Sequence, residues 1–390
     1  MQPFVFNTTA RLICRPGAAT ELGALTGGIL GADVLFVTDP GLRALGLERA
    51  AIASLENQGA RVTVFDAVEA DPSLSTLHAA IDMARAAGAT GLVGFGGGSS
   101  MDVAKLAALL AGSGEDLEAA WGVGNAKGPR LPLVLVPTTA GTGSEATPVS
   151  IITVGENEKR GVSSPLLLPD VAVLDADLTL GLPAPITAAT GIDAMVHAIE
   201  AYASKSANNN PLSAMLAREA MSLLGANIET VVLHEPGNRT ARQAMLLGSM
   251  LAGMAFGNSP VAAVHALAYP IGGMFHIPHG LSNALVLPEV LKFNIAEEAN
   301  QSWRRYAELA PLAFPDLNGE ASPALAADFI TGLADLSARL GLPQRLSDCG
   351  IGEEALPNMA SEAMKQTRLL VNNPREVSEA DALAIYRAAW

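Results

Sequence analysis

Apolar residues fall in short unbroken runs through the first half of the chain and at helical spacing through the second. From Ala32 to Asp39 the run ADVLFVTD predicts a strand ending in an acid, and Leu42–Gln58 predicts the helix that follows. RVTVFD with LHAAIDMARAAG repeats the pair, TGLVGFGGGSS with SMDVAKLAALLAG repeats it again, and LPLVLVP adds a further strand. Strands that are apolar on both sides and separated by helices suit a parallel sheet covered on both faces by crossovers. The stretch Ser150–Leu182 carries two strand signals among several prolines and reads as the passage between domains. Beyond Pro185 strand signals fade, and patterns such as PLSAMLAREAMSLLGANIETVVL and TARQAMLLGSMLAGMAFG predict long helices. Met215, Met221, Met245, Met250 and Met254 recur within them, as core packing would explain. The expected organisation is an α/β domain with a parallel sheet over residues 1–182 and an all-α domain over 183–390, and a length of 390 residues itself calls for two cores.

Composition narrows the function. With 49% apolar and 16% charged residues the chain can bury a large interior, and its net charge of −15 argues against a phosphate-backbone partner. The opening MQPFVFNTTARLICRPG lacks the basic and apolar regions of a secretory signal, and no apolar run is long enough to span a bilayer. Cys14 and Cys349 are no disulfide framework. The expectation is a cytoplasmic enzyme with no nucleic-acid or membrane partner.

Two loops of the first half carry candidate chemistry. The strand Gly91–Phe95 runs into Gly96, Gly97, Gly98 and Ser99, and a helix starts at once near Ser100. Backbone amides and the positive helix end could face a pyrophosphate there, or the glycines could form only a tight turn. Asp102 and Lys105 lie just inside that helix, where a solvated i,i+3 pair is the plain reading. The loop Pro137–Glu145, PTTAGTGSE, offers hydroxyls to a nucleotide or a polar cap to the next helix. Asp39, at the end of an early strand, could bond adenosine ribose hydroxyls and repel a 2′-phosphate, selecting NAD over NADP; it could equally start a turn. Lys159 sits in a charged loop whose default is solvent.

The second half holds a denser cluster. Five of six histidines lie in residues 190–283. Asp193 and His197 are four apart in helical sequence and share one face. His265 lies in a second helical run, and Gly272, Gly273 and Pro278 should break that helix and return His279 toward the first pair. One carboxylate and three imidazoles suit iron(II) or zinc better than calcium or magnesium, although any one of them alone reads as an ordinary core or surface residue. His276 is close in sequence to His279 and could touch substrate or line a wall, while His78 and His234 receive no role.

GFGGGSSMDVAK, PTTAGTGSEAT, TGIDAMVHAIEAY and VHALAYPIGGMFHIPHGLSNALVLP, in that order, resemble the iron-containing (group III) alcohol dehydrogenase family over nearly the whole chain. The resemblance implies a Rossmann-like, dehydroquinate synthase-like N-terminal domain and a helical C-terminal one. It implies Asp193, His197, His265 and His279 as ligands of Fe2+, with Zn2+ or another divalent metal possible. It places Gly97, Gly98 and Ser99 on the pyrophosphate of NAD with Asp102 supporting that loop, Thr138, Thr139 and Thr142 along the cofactor, Asp39 on the ribose and Lys159 on the cofactor side. Many relatives have a further histidine where this chain has Tyr269, so proton movement falls to Tyr269, water or the nicotinamide ribose. The expected activity is hydride transfer between a nicotinamide and a small alcohol or aldehyde, in a homodimer or larger homo-oligomer. Phe256, Met274, Phe275 and Ile277 suggest an apolar pocket. Alternatives are a maleylacetate reductase, a hydroxy-acid dehydrogenase, or a lyase similar to dehydroquinate synthase, which would need basic residues that run 254–281 lacks.

Overall fold

The computed structural model describes residues 3–155, 158–297 and 301–390. Contacts divide the chain into two compact units, Asn7–Gly181 and Leu182–Trp390, and the opening segment through Phe6 groups with the second.

In the first unit the strands are β1 (Leu12–Cys14), β2 (Asp33–Val37), β3 (Arg61–Phe65), β4 (Gly91–Gly96), β5 (Gly122–Val123), β6 (Leu133–Pro137), β7 (Val149–Val154), β8 (Glu158–Ser163) and β9 (Val171–Leu174). Six form one parallel sheet in the order β1-β9-β6-β4-β2-β3. Strand residues alternate between two cores: Leu35, Val37, Leu92, Leu133 and Leu135 face one layer of helices, and Val34, Phe36, Val93, Phe95, Val134 and Val136 face the other. That is why these strands read as unbroken apolar runs. β3 lies on one side of β2 and β4 on the other, so the winding reverses between β2 and β4. Ligands of such sheets bind beyond the strand carboxyl ends at that reversal.

Local differences from the sequence reading have clear causes. Leu42–Gln58 is two helices, Pro40–Leu45 and Arg49–Asn57, because Gly46 ends the first at φ 69°. The passage after Ser150 holds three strands rather than two: β7 and β8 pair antiparallel in a small sheet with β5, and β9 returns to the main sheet beside β1. β1 was not expected, since three residues with an exposed–half-buried–exposed pattern give little signal.

The second unit has no strand among its described residues. Its central helix, Ala184–Ala203, is buried continuously from Gly191 to Ala203, and a helix enclosed on all sides in this way carries its polar residues inward. Around it stand helices Pro211–Glu229, Arg239–Asn258, Ala263–Phe275 and His279–Ile295, followed by Ser302–Ala313, Pro323–Arg339 and the closing Glu379–Ala389. Met221, Met245 and Met250 are core residues, whereas Met215 is exposed, on the outer face of its helix. No single described helix is long and apolar enough to cross a membrane.

Candidate metal centre and nucleotide-binding turn

In the first unit, the glycine turn closes β4 at the winding reversal. Gly96 adopts φ 152°, and a Cβ there would lie 2.6 Å from the Ser100 hydroxyl, so only glycine fits. The helix begins at Gly98, two residues earlier than expected. Its first amides, on Gly98, Ser99 and Ser100, have no intrahelical acceptor and form the positive end of a sixteen-residue helix. The Ser99 hydroxyl donates to Ala70 O, so of this residue only the amide is left at the helix start. Thr139 and Thr142 pack over the same turn: a Cβ on Gly97 would meet Thr139 Oγ1 at 3.7 Å, and one on Gly98 would meet Thr142 Cγ2 at 2.9 Å. Thr138 is buried, and its amide donates to Gly96 O at 3.0 Å. Asp39 starts the turn into the next helix, one of its two sequence readings. Oδ1 caps helix Pro40–Leu45 by accepting from Leu42 N at 2.9 Å, while Oδ2 faces the turn, 3.4 Å from a Cβ built on Gly96.

Behind the turn the expectation of a solvated pair fails. Lys105 is fully buried, and its ammonium donates to Ser144 Oγ (2.7 Å), Thr147 Oγ1 (3.1 Å) and Val149 O (2.8 Å). Asp102, 3.8 Å away, accepts from Ser144 Oγ at 2.7 Å and Ile151 N at 2.9 Å, which ties the glycine-turn helix to the threonine loop. Burial pushes the Asp102 carboxyl up, lowers Lys105 to about 8 and raises the neighbouring Glu145 to about 7. Lys159 is not a solvated loop residue. It lies in β8, paired with Asp71 next to the Ala70 carbonyl that holds Ser99.

In the second unit Asp193, His197, His265 and His279 come together, with one ligand atom from each within 4.8 Å of all the others. Asp193 and His197 share helix Ala184–Ala203, His265 is the third residue of Ala263–Phe275, and His279 opens His279–Ile295. Gly272 and Gly273 do not break the second of these helices. It runs on to Phe275, and His276 makes the turn in the left-handed region at φ 55°. Asp193 Oδ1 stands 4.0 Å from His265 Nε2 and 3.8 Å from His279 Nε2. Three ligands are buried, whereas the His279 side chain is 42% exposed, which leaves one side of the cluster accessible. Burial would raise the Asp193 carboxyl, but the charges of His197, His279 and His265 and the amide of Asn283 hold it below the usual range.

A divalent cation fits this set. Four ligands at about 2.1 Å from one tetrahedral ion lie roughly 3.4 Å from each other, so the Asp193–His265 and Asp193–His279 pairs, now at 4.0 and 3.8 Å, would close by about half an ångström. The Asn283 amide nitrogen, 2.6 Å from Asp193 Oδ1 and 3.3 Å from both His265 Nε2 and His279 Nε2, already points a partial positive charge at three of the four ligand atoms. Phe256 stacks on His197 at 4.4 Å, and the Tyr269 ring lies 6.0 Å from that of His279; His276 is exposed. Asn283 and Glu200, whose Oε2 lies 2.6 Å from His265 Nδ1, were missed in the sequence. Both were findable: Asn283 is four residues after His279, and Glu200 is seven after Asp193 on the same helical face.

A glycine turn at the reversal of a parallel sheet and a carboxylate–trisimidazole cluster in one chain define a metal-dependent, nucleotide-linked oxidoreductase. Residues 9–176 match the model of the iron-containing alcohol dehydrogenases, and residues 187–390 that of the C-terminal part of the same family. The long-chain-alcohol dehydrogenase 1 of Geobacillus thermodenitrificans is 39% identical over 98% of this chain and 97% of its own. A 1,3-propanediol oxidoreductase crystal structure superposes with a TM-score of 0.94 at 34% identity, covering 100% of both chains. The sulfoacetaldehyde reductase of Bifidobacterium kashiwanohense, solved with NAD+, reaches 0.86 at 28% identity, over 100% of this chain and 99% of that one. The chain belongs to the iron-containing alcohol dehydrogenase family.

Proposed function

We propose that this chain interconverts a small primary alcohol or diol and its aldehyde, with NAD(H) as hydride partner and iron(II) or zinc at the cluster. The observation that carries this reading is the convergence of Asp193, His197, His265 and His279, buried but open beside His279. When bound, the ion supplies Lewis-acid polarisation of the substrate oxygen, and the nicotinamide supplies the hydride acceptor.

The chain's own residues do the rest. Asp193 and the three imidazoles hold the ion, with His265 and His279 bordering the substrate. The Gly97, Gly98 and Ser99 backbone receives the pyrophosphate, and Asp102 keeps that turn against the loop of Thr138, Thr139 and Thr142, which lies along the cofactor. Asp39 takes the ribose, and Lys159 borders the cofactor. Tyr269 moves the alcohol proton toward solvent by its hydroxyl, with the exposed His276 next along the route. Phe256, on the face of His197, supports an apolar substrate wall. Named relatives act on substrates from long-chain alcohols to propanediol and sulfoacetaldehyde, so a panel is needed. The absence of Lys and Arg from residues 254–281 disfavours a lyase that holds a phosphate there. Cytoplasmic residence, supported by the low cysteine content, and assembly as a homodimer or larger homo-oligomer complete the proposal.

The test pairs elemental analysis of the purified protein with NADH and NADPH oxidation against aldehydes, keto acids and maleylacetate. One divalent ion per chain and NADH-dependent aldehyde reduction that stops on chelation are expected. Turnover undiminished by chelation would overturn the metal role, and maleylacetate as best substrate would overturn the substrate class.

A further inference from the structure

Helix Ala184–Ala203 presents a third polar side chain on the stripe that carries two ligands. Glu200 is three residues beyond His197, only 4% exposed, and enclosed by the helical core. A carboxylate is expensive to bury and persists where both oxygens find good donors. Oε1 accepts from the Val264 amide at 2.7 Å, and Oε2 lies 2.6 Å from His265 Nδ1. The first bond orients the second, because a backbone amide can only donate. With one oxygen fixed on Val264, the other presents an acceptor to Nδ1, so Nδ1 must carry the hydrogen. The neutral imidazole then has its lone pair on Nε2, the atom that faces Asp193 Oδ1 at 4.0 Å. Free histidine favours the opposite tautomer, whose hydrogen on Nε2 blocks that atom from binding an ion. The Val264 bond has a second effect. Ala262, at the N-cap of helix Ala263–Phe275, gives no side-chain cap, and Glu200 supplies an acceptor to that buried, otherwise uncapped helix start.

We infer that Glu200 is a positioning residue of the metal centre: it selects the His265 tautomer that offers Nε2 to the ion and anchors the start of the helix that carries it. The inference rests on the four-ligand reading of the cluster and adds to it the group that makes one ligand competent.

The test uses the full chain, stripped with a chelator and titrated with Co2+ in competition with a chromophoric chelator. Glu200→Gln must either turn its amide NH2 toward the Val264 N–H or donate to Nδ1 and force the wrong tautomer. The expected result is a folded variant, by circular dichroism, whose Co2+ dissociation constant rises about 10- to 100-fold with altered visible Co2+ absorption. Wild-type affinity within threefold in the folded variant would overturn the inference. A measurement on the wild type guards against a variant that does not fold. In metal-free protein labelled with 15N-histidine, the His265 signal, assigned by its loss in His265→Gln, should show the Nδ1–H tautomer; an Nε2–H signal would overturn the inference. Wild type that binds no Co2+ would overturn the metal centre along with it, whereas tight wild-type binding with an unaffected Glu200→Gln would overturn the inference alone.

Discussion

Gly280→Ala tests the geometry of the cluster without touching a ligand. Gly280 follows His279 directly, and a Cβ built on it would lie 2.4 Å from Ala189 O and 2.8 Å from Ala189 C, both backbone atoms of the helix that bears Asp193. An ordinary carbon–oxygen approach is about 3.3 Å, so the start of helix His279–Ile295 must retreat by roughly 1 Å. Metal sites tolerate ligand displacements of about 0.2 Å, so His279 leaves coordinating range. Overpacking of this kind costs about 1–3 kcal/mol, which in a unit of this size lowers Tm by roughly 2–12 °C. The sign is decisive, because alanine in a helix is otherwise favoured over glycine by about 1 kcal/mol. If the contact were easily relieved, the variant would be more stable than the parent. The assay is thermal unfolding of metal-free protein, followed by fluorescence of Trp303 and Trp390, together with Co2+ titration. Gly237→Ala is the control, since a Cβ there meets nothing within 4 Å. A lower Tm and at least a tenfold weaker Co2+ affinity are expected. A raised Tm with unchanged affinity would refute the close packing of these two helices as the origin of the cluster.

Two further predictions concern the first unit. Asp39→Asn keeps an oxygen to cap Leu42 but removes the charge, so stability should hold while the NADPH to NADH ratio of kcat/KM rises about tenfold, or ~1.4 kcal/mol; an unchanged ratio would remove Asp39 from cofactor selection. Glu145, raised to about 7 from 4.5, contributes stability that is full below about 4.5 and lost as pH rises through about 7. Lys105, lowered to about 8 from 10.5, carries a charge-burial penalty that is full below about 8 and relieved as pH climbs toward 10.5. Urea unfolding reported by Trp121, in a background of Trp303→Phe and Trp390→Phe, should therefore show least stability between about pH 7 and 8. If Lys105→Met leaves the alkaline rise intact, Lys105 is not its source.

The sheet was legible because both faces are buried: Leu35 and Phe36, adjacent in sequence, enter opposite cores, so polar alternation never interrupts the run. The clustering of Asp193 with His197 was legible because the two obey helical spacing. What escaped reading depended on long-range packing. Nothing local says that Lys105, in a helix that could have been amphipathic, faces Ser144 and Val149 and is sealed from water. Nor does any local signal reveal β1, whose pairing with β9 joins residues some 160 apart. Gly272 and Gly273 misled because their helix-breaking tendency is a weak preference that tertiary packing overrides, and the left-handed conformation fell instead to His276, which lacks glycine's freedom there.

Unequal burial of the ligands makes the socket one-sided. Asp193, His197 and His265 stay inside the helical interior, while His279 stands at the surface at the very start of its helix. An ion held by these four side chains would be reached from the side of His279, the one member of the set that is exposed. Which divalent ion such a socket would hold depends on the supply around it as well as on ligand type and geometry.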